Sequence, residues 1–427
     1  MNPIAIAARG KGPFRMLKRA GAICGRYGPA PDKMDRMLDH YAGILSQFNC
    51  GATFPITAAT LARSREVVEK YQPQNIEFAV HGYSHVDHTR LSLEQQLKAL
   101  GKARRLFQQR GITCDGFRCP YLRWGEDTLT AVRQSSFLYD SSQALAWDVV
   151  DKAETNTYRR VLDFYGAVSA RDYPALPRWD HGLVRIPYCL PDDEALLDRF
   201  PLKAAGRMSE PWLRILAETY RLGELFTLGL HPERIDLCEA PLRETLRQAR
   251  ALSPGVWVAR LDEISRWWKA RTETAVTITD GDGDEMLVRA QGPQGITLLT
   301  RGVAGKPSPA PWDGRYQRVP GAEFALRAAR RPFIGASSSS SPYLKSFLRQ
   351  QGYIVEPVDG DRFHTFCLNR PRFGYEDERP LLAQIDQGDF PLVRLGRWPH
   401  GARSALCVTG DIDALTIWDY GLRFLGM

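Results

Sequence analysis

The sequence lacks several features that would indicate a membrane or nucleic-acid protein. It has no apolar run of about 18 residues, the length of a membrane-spanning helix. It also has no cluster of about five to eight Lys and Arg residues, the pattern typical of nucleic-acid binding. The 57 basic residues outnumber the 49 acidic ones and give a net charge of +8, but the excess is spread thinly. We therefore expect no transmembrane span and no nucleic-acid partner, whereas an anionic glycan is compatible with this charge.

Metal and redox motifs built on cysteine are missing as well. None of the eight cysteines forms a Cys-x-x-Cys pair, so neither a zinc ribbon nor a redox pair is expected. Residues 1–28 are basic, yet they hold only the short apolar stretch Ile4 to Ala8, which is not typical of a secretory signal. These observations favour a cytoplasmic location and buried free thiols.

What the sequence does contain is an alternation of short apolar segments with amphipathic helices. Apolar residues at helical spacing predict a helix over 34–48, and the β-branched segments 51–57 and 76–80 predict buried strands. Ser92 and Gln95 form a capping box for a further helix. Such alternation indicates an α/β fold with a mainly parallel sheet, either a barrel or doubly wound.

The 427 residues exceed the usual size of one domain, and their character changes near Thr272. Residues 1–271 are predicted to form the (β/α) core, 272–330 a small β-rich insertion, and 331–427 a segment that completes the core. Within the insertion, the acidic turn at 280–285 could suggest calcium. It lacks the full ligand pattern of a calcium loop, so a plain hairpin turn is favoured.

The clearest chemical pattern is a pair of histidines directly after a predicted strand. His81 and His85 are four residues apart, a spacing that would place both imidazoles on one side of a helical turn, where they could chelate one metal ion. His88 could be a third ligand or simply a polar residue. The pair alone is a weak signal.

The surrounding motifs make the signal specific. Ala52-Thr-Phe-Pro55, the His81 to His85 segment, Gly116-Phe-Arg-Cys-Pro-Tyr121 and Leu228-Gly-Leu-His-Pro232 occur in that order. Together they resemble the polysaccharide deacetylase family, NodB-like, also called carbohydrate esterase family 4, over roughly residues 30–265. The resemblance implies a distorted (β/α) barrel and a metal-dependent deacetylase.

The resemblance also implies roles for individual residues. His81 and His85 match the two histidine ligands of the family's metal. Arg118 matches the arginine that orients a catalytic carboxylate, and backbone N–H near Tyr121 would help to form the oxyanion hole. His231 matches the histidine that protonates the leaving amine. Two further candidates line the family's groove: Asp140 and Trp147.

One family motif is missing from its usual place. The family opens with a strand that ends in two aspartates, a general base and a metal ligand, whereas only Asp32 and Asp35 precede Ala52 here, at the start of a helix. The segment 404–413 has the shape of that opening strand, so we expect a circular permutation in which Asp411 is the base and Asp413 the metal ligand. Two alternatives stay open: a second, truncated deacetylase-like unit could begin here, or the aspartates could cap the last helix.

The chemistry follows from this arrangement. Two histidines and one carboxylate with open positions suit catalytic zinc, although Co, Ni or Fe would also fit. The expected reaction is removal of an acetyl or other acyl group from an amino sugar or glycan. Trp124, Trp147, Tyr121 and Tyr188 could stack on sugar rings or simply pack. Hydrolysis of a small cyclic or linear amide and an inactive glycan-binding module remain alternatives, and the sequence leaves the oligomeric state open.

Overall fold

The computed structural model describes residues 25–150, 155–199, 208–358 and 363–422. Twelve α-helices are described within these ranges. They are α1 Asp32–Gln47, α2 Ala58–Arg63, α3 Arg65–Tyr71, α4 Leu93–Gln109, α5 Glu126–Gln134, α6 Thr155–Tyr165, α7 Ser209–Leu222, α8 Ile235–Ala251, α9 Leu261–Thr272, α10 Pro342–Gln350, α11 Glu378–Gln387 and α12 Ile417–Leu422. The capping box at Ser92 and Gln95 is present at the start of α4.

One large sheet organises most of the described chain. Its strands are β1 Ala52–Ile56, β2 Ile76–Val80, β3 Gly116–Phe117, β4 Tyr139–Asp140, β5 Ala144–Ala146, β6 Val168–Ser169, β7 Arg178–Asp180, β8 Leu183–Arg185, β9 Tyr188–Leu190, β10 Leu225–Leu230, β11 Val256–Val258 and β23 Ser404–Gly410. Their order is β6-β5-β9-β10-β23-β1-β2-β3-β4-β8-β7, and β11 pairs with β23 outside this path. All pairings are parallel except that of β7 with β8. The expected α/β class is confirmed as a mixed α/β fold with a curled half-barrel sheet.

The strand from the far end of the sequence lies at the centre of this sheet. β23 pairs in parallel with β10 over six residue pairs, from Leu225 with Ala405 to Leu230 with Gly410. On its other side it meets β1 through Thr53 and Thr409. Beyond the strand, Ile412 continues the contact as a parallel bridge to Ile56. The aspartates on either side of Ile412 are therefore brought to the carboxyl edge of the sheet.

The burial of β23 explains its uninterrupted apolar sequence. Leu406 and Val408 pack into the core formed with α1, β1 and β2, whereas Ala405 and Cys407 pack into a second core that includes Trp268. Successive side chains of a strand point to opposite faces, so a strand covered on both faces reads as a continuous hydrophobic run.

The remaining strands form smaller sheets. They are β12 Ala275–Asp280, β13 Glu285–Gln291, β14 Leu298–Arg301, β15 Gly305–Lys306, β16 Ala310–Pro311, β17 Gln317–Val319, β18 Glu323–Arg327, β19 Arg331–Ala336, β20 Val355–Pro357, β21 His364–Leu368 and β22 Leu392–Leu395. Antiparallel sheets have the orders β12-β13-β18-β15 and β16-β17-β14-β22, and a parallel sheet has the order β20-β19-β21. The acidic turn joins β12 to β13 as a hairpin, as expected.

The described residues of the segment 331–427 pair in more than one sheet. Among its described residues, only Ser404–Gly410 and the bridge at Ile412 pair with the large sheet. β19 to β21 pair with one another, and β22 extends an antiparallel sheet begun by β14. We refer to residues 275–395 as the C-terminal unit, because their described strands pair only with one another. A bridge between Tyr353 and Arg394 lies inside the same range.

No described helix is both long enough and apolar enough to cross a lipid bilayer. The segment used for the expectation on secretion, residues 1–28, lies mostly outside the described residues. Cys24 lies outside them as well, and the other seven cysteines are free thiols.

Candidate active site

The chemically interesting side chains follow the carboxyl ends of neighbouring strands, where parallel sheets commonly place their sites. They come from six strands of the large sheet. His81 follows β2, Arg118 and Tyr121 follow β3, Asp140 ends β4, Asp193 follows β9, His231 follows β10, and Asp411 and Asp413 follow β23.

Two of these side chains form a compact cluster with His85, which lies four residues after His81. The Oδ1 atom of Asp413 lies 3.1 Å from Nε2 of His85 and 3.5 Å from Nε2 of His81. The three potential ligand atoms all lie within 4.8 Å of one another, and both histidines are buried. Two imidazole nitrogens and a carboxylate form a donor set that fits a divalent transition metal such as zinc.

The position of the His81 ring is fixed from behind. Its Nδ1 lies 2.9 Å from the carbonyl oxygen of Arg118. Because a carbonyl oxygen only accepts, Nδ1 carries a proton, and Nε2 is the ring nitrogen that faces Asp413 and would bind a metal ion. Residues 81–87 are an irregular loop, so the histidines approach each other without the helical turn that their spacing suggested. Gly82, with φ of 77°, allows this loop to turn beside the ring of His88.

Arg118 connects the cluster to the second aspartate. Its Nη1 donates to Oδ1 of Asp411 at 2.5 Å and to Oγ1 of Thr409 at 2.9 Å. Its Nε and Nη2 donate to the carbonyl and hydroxyl oxygens of Ser141, at 3.2 and 3.1 Å. Arg118 is only 1% exposed, so its guanidinium is held on several sides and Asp411 is fixed in turn.

Tyr188 supports the same arginine, although it does not line a groove. Its buried ring lies 4.7 Å below the Arg118 guanidinium carbon, and its hydroxyl donates to Oδ2 of Asp192 at 2.8 Å. A Cβ atom at Gly229 would overlap this hydroxyl. Only glycine on β10 leaves room for the tyrosine, which explains the Gly in Leu228-Gly-Leu-His.

His231 is paired with an aspartate that the sequence did not single out. Its Nδ1 lies 2.7 Å from Oδ1 of Asp193, and its backbone N–H donates to Oδ2 of the same carboxylate at 2.8 Å. Burial lowers the pKa of His231, but attraction to Asp193 and the hydrogen bond outweigh burial and hold the pKa well above its usual 6.5. The only signal for Asp193 was a pair of acids, Asp192 and Asp193, soon after a buried strand.

Tyr121 lies against the metal-ligand candidates. Its ring meets the His85 ring edge to face, with centroids 4.4 Å apart. Tyr121 and Leu122 both adopt positive φ, 61° and 55°, which is uncommon for residues other than glycine. This sharp turn after β3 keeps the tyrosine beside the cluster.

Asp140 and Trp124 are connected through Arg185. Asp140 is 1% exposed, accepts a short hydrogen bond from Ser142 and lies 3.8 Å from Nε of Arg185. Burial raises the pKa of Asp140, and Arg185 opposes that rise. The Arg185 guanidinium carbon lies 4.1 Å from the centre of the Trp124 ring. Asp140 is thus too buried to line an open groove, whereas Trp124 is partly exposed.

Trp147 and His88 are not part of the cluster. Trp147 is 5% exposed and lines a separate cavity between the large sheet and the C-terminal unit. His88 is fully buried with Nδ1 3.3 Å from Oε1 of Gln96, and burial lowers its pKa to about 4. Among the described residues, the group able to hold a metal contains His81, His85 and Asp413 alone.

Comparison with known proteins agrees with the motifs. Residues 28–139 match the family model of the polysaccharide deacetylases. The peptidoglycan deacetylase-like protein FGM2 of Gibberella zeae is 40% identical over 129 residues, which are 29% of this chain and 35% of that protein. The chain thus spans about a third of the length of this curated relative.

Solved structures match the chain only at low identity. A Mycobacterium smegmatis protein assigned to the polysaccharide deacetylases has 23% identity and a TM-score of 0.45, covering 60% of this chain and 83% of that one. A Pseudomonas aeruginosa protein with the same assignment has 21% identity and a TM-score of 0.43, covering 55% and 72%.

Proposed function

We propose that the chain is a metal-dependent hydrolase that removes an acetyl group from an N-acetylated amino sugar in a glycan. The match of residues 28–139 to the polysaccharide deacetylase family model supports this proposal. The observation that carries the proposal is the approach of Asp413 to His81 and His85. These residues are more than 300 positions apart in the sequence, and the central position of β23 brings them together.

We also propose that the chain is a circular permutation of the family pattern. In the permuted reading, β23 takes the place of the family's opening strand, and Asp411 and Asp413 take the places of its two aspartates. The parallel pairing of β23 with both β10 and β1 supports this reading. The same pairing disfavours a second, truncated unit that begins near residue 404. Capping of the last helix is also disfavoured, since Asp419 caps the turn before α12 by accepting from the backbone N–H groups of Leu415 and Thr416.

The residues divide the chemistry between them. His81, His85 and Asp413 would hold a metal ion, which would polarise an acyl oxygen and acidify water. Asp411 accepts the proton of the attacking water, and Arg118 keeps its carboxylate in place. The turn at Tyr121 contributes to stabilising the developing oxyanion, where a single donor is worth about 3 kcal/mol in other enzymes.

His231 completes the reaction as the general acid. Its raised pKa keeps the imidazolium protonated near neutral pH, so it can donate a proton to the departing amine. Asp193 holds the ring by Nδ1 and leaves Nε2 to face the substrate. Asp411 thus acts as the base beside Arg118, and His231 acts as the acid beside Asp193. These different surroundings let one group accept a proton and the other donate one.

The test is acetate release from an N-acetylglucosamine oligomer and from N-acetylated polysaccharides. We expect turnover that a chelator abolishes and that added zinc or cobalt restores. The variants His81→Gln and Asp413→Asn should lose metal and activity together. Matched controls are His181→Gln and Asp389→Asn, whose side chains are 87% and 101% exposed and far more accessible than the cluster.

Other outcomes separate the alternatives. Turnover of small cyclic amides without acetate release would replace the proposal with an amidase. Saturable glycan binding with no turnover in the metal-loaded protein would indicate an inactive binding module. A chain that neither binds a divalent metal ion nor releases acetate would contradict the proposed site.

A further inference from the structure

A second cavity lies away from the metal-ligand cluster, between the large sheet and the C-terminal unit. We call it the arginine cavity; its volume is about 660 Å³, within the range of small-molecule sites. Its lining includes none of the candidate active-site residues His81, His85, His231, Asp411 and Asp413. Its walls include the aromatic rings of Trp147, Trp312 and Tyr316.

The charges around this cavity do not balance. Seven arginines and five carboxylates line it among the described residues. Four of each are paired: Arg171 with Asp148, Arg221 with Glu218, Arg379 with Glu224, and Arg403 with Asp313. Arg315 lies at the surface, 3.4 Å from Asp389. The remaining carboxylate of the described lining, that of Asp386, is the one counter-charge there for both Arg394 and Arg397. It also accepts a hydrogen bond from the Tyr353 hydroxyl.

Arg397 is the least satisfied of these side chains. It is 7% exposed, and its Nη1 donates to the carbonyl oxygen of Leu222 at 2.8 Å. Its Nε and Nη2 atoms are buried without a hydrogen-bond partner in the described part of the chain. A guanidinium keeps its charge at neutral pH, so its buried donors need an acceptor.

Neighbouring guanidinium groups make the site still more positive. Arg394 is 5% exposed and donates to the backbone carbonyl oxygens of Leu395 and Gln351. Arg271 lies behind, 1% exposed; burial and repulsion from Arg394 and Arg397 lower its pKa to about 9. Burial and then repulsion from Arg394 also lower the pKa of Arg397. Burying like charges together is costly without a counter-charge.

We propose that the arginine cavity binds a small organic anion, a sugar or similar ring bearing a phosphate or carboxylate, whose oxyanion lies against Arg394 and Arg397. Guanidinium groups match both oxyanions in geometry. The aromatic walls provide a surface on which a ring can pack. This site is independent of the proposed deacetylation and needs no metal.

Calorimetric titration of the full chain tests the proposal with glucose 6-phosphate, glucuronate and uncharged glucose. We expect saturable binding of one or both anions and at least tenfold weaker binding of glucose. Preference between the two anions identifies the charged group. Equal heats of binding from all three sugars would overturn the proposal. The same holds if potassium chloride at the same ionic strength reproduces the heats. Both measurements need only the unmodified protein.

Two variants locate the site. Arg397→Gln should weaken anion binding at least tenfold, whereas Arg327→Gln, which removes the same charge from a side chain 78% exposed, should not. Ala383→Glu places a carboxylate in the cavity wall on α11, so it should raise the melting temperature and block the anion. Its control is Gln384→Glu, on the same helix but outside the cavity. Unchanged anion binding in Ala383→Glu would contradict the assignment, even if Arg397→Gln fails to fold.

Discussion

The pairing of His231 with Asp193 decides how the candidate site responds to pH. The imidazolium is the form that donates a proton, and Asp193 raises its pKa above the usual value. A raised pKa keeps the acid form to higher pH, so activity is expected to persist below that pKa and to fall as pH rises through it. The free energy of unfolding depends on pH in the same direction. The contribution of this pair is fully present below about pH 6.5 and is lost as pH rises through the raised pKa of His231.

Asp193→Asn tests this relation. The change removes the negative charge but keeps a hydrogen-bond acceptor near Nδ1, so the pKa of His231 should fall. The alkaline limb of the pH dependence of kcat should move to lower pH by about 1 to 3 units. The measurement is acetate release between pH 5 and pH 10. An alkaline limb that does not move would remove His231 from the role of acid, and Asp236→Asn, at an exposed side chain, is the control.

Arg118 tests the positioning of the base. Arg118→Lys keeps the charge but loses the planar fork that reaches Asp411, Thr409 and Ser141 together. We expect kcat to fall by about 10²-fold, since small displacements of a catalytic group have effects of this size, while KM changes little. Arg123→Lys, at a half-exposed ion pair with Asp87, is the matched control. Equal kcat in both variants would contradict the positioning role.

At the scale of elements, sequence periodicity predicted the helices and strands around the site well. The predicted strand at 76–80 has those bounds in the structure, and the helix predicted over 34–48 is α1, Asp32–Gln47. The loop at 81–87 could not be predicted, because a four-residue spacing of histidines is equally compatible with a helical turn and with a bend at Gly82. Asp193 was also missed, since its partner His231 is 38 positions away and local sequence carries no information on that contact.

The position of the C-terminal strand β23 in the sheet is a long-range feature that the sequence did indicate. The apolar run before Asp411 and Asp413 predicted a strand. Because the family's two aspartates are missing before Ala52, this strand was expected to lie beside β1, where the structure has it. The strand pairing inside the C-terminal unit could not be predicted, because short strands such as β20 and β22 carry too few residues to show a period.

The close packing of β23 leads to a prediction for Gly410. A Cβ atom there would lie 2.9 Å from Cε1 of Phe54 and 3.0 Å from Cε1 of Tyr41, both on rings that are fully buried. Gly410→Ala should therefore lower the free energy of unfolding by about 1–3 kcal/mol and reduce metal affinity by displacing Asp411 and Asp413. Chemical denaturation and metal titration measure the two effects.

A matched glycine gives the opposite expectation. Gly101 lies inside α4, and its Cβ would approach only Arg105, at 3.7 Å. Gly101→Ala should stabilise the chain by about 0.5–1 kcal/mol, because alanine loses less conformational freedom in a helix. If both alanine variants had the same effect on unfolding, the tight packing around Gly410 would be disproved.

At the scale of the whole molecule, two cores meet across β23. The core that contains Leu406 and Val408 belongs to the helices on one side of the large sheet. The core that contains Ala405 and Cys407 reaches α9, α10 and α11 of the other side. Ion pairs such as Arg178 with Glu378 join the large sheet to the C-terminal unit. We infer that the strand is needed for folding wherever it stands in the sequence.

Moving this strand to the front of the chain tests that inference together with the proposed permutation. The rearranged chain begins at Asp389, joins residue 427 to residue 1 through a Gly/Ser linker, and ends at Gly388. The cut lies between α11 and β22, beside a fully exposed side chain. Because β23 pairs only in parallel and its partners are unchanged, the rearranged protein should fold, bind one metal ion and keep kcat within about tenfold. A chain truncated after Arg403 lacks the strand and should not fold, and metal binding by that truncated chain would show that Asp413 is not a ligand.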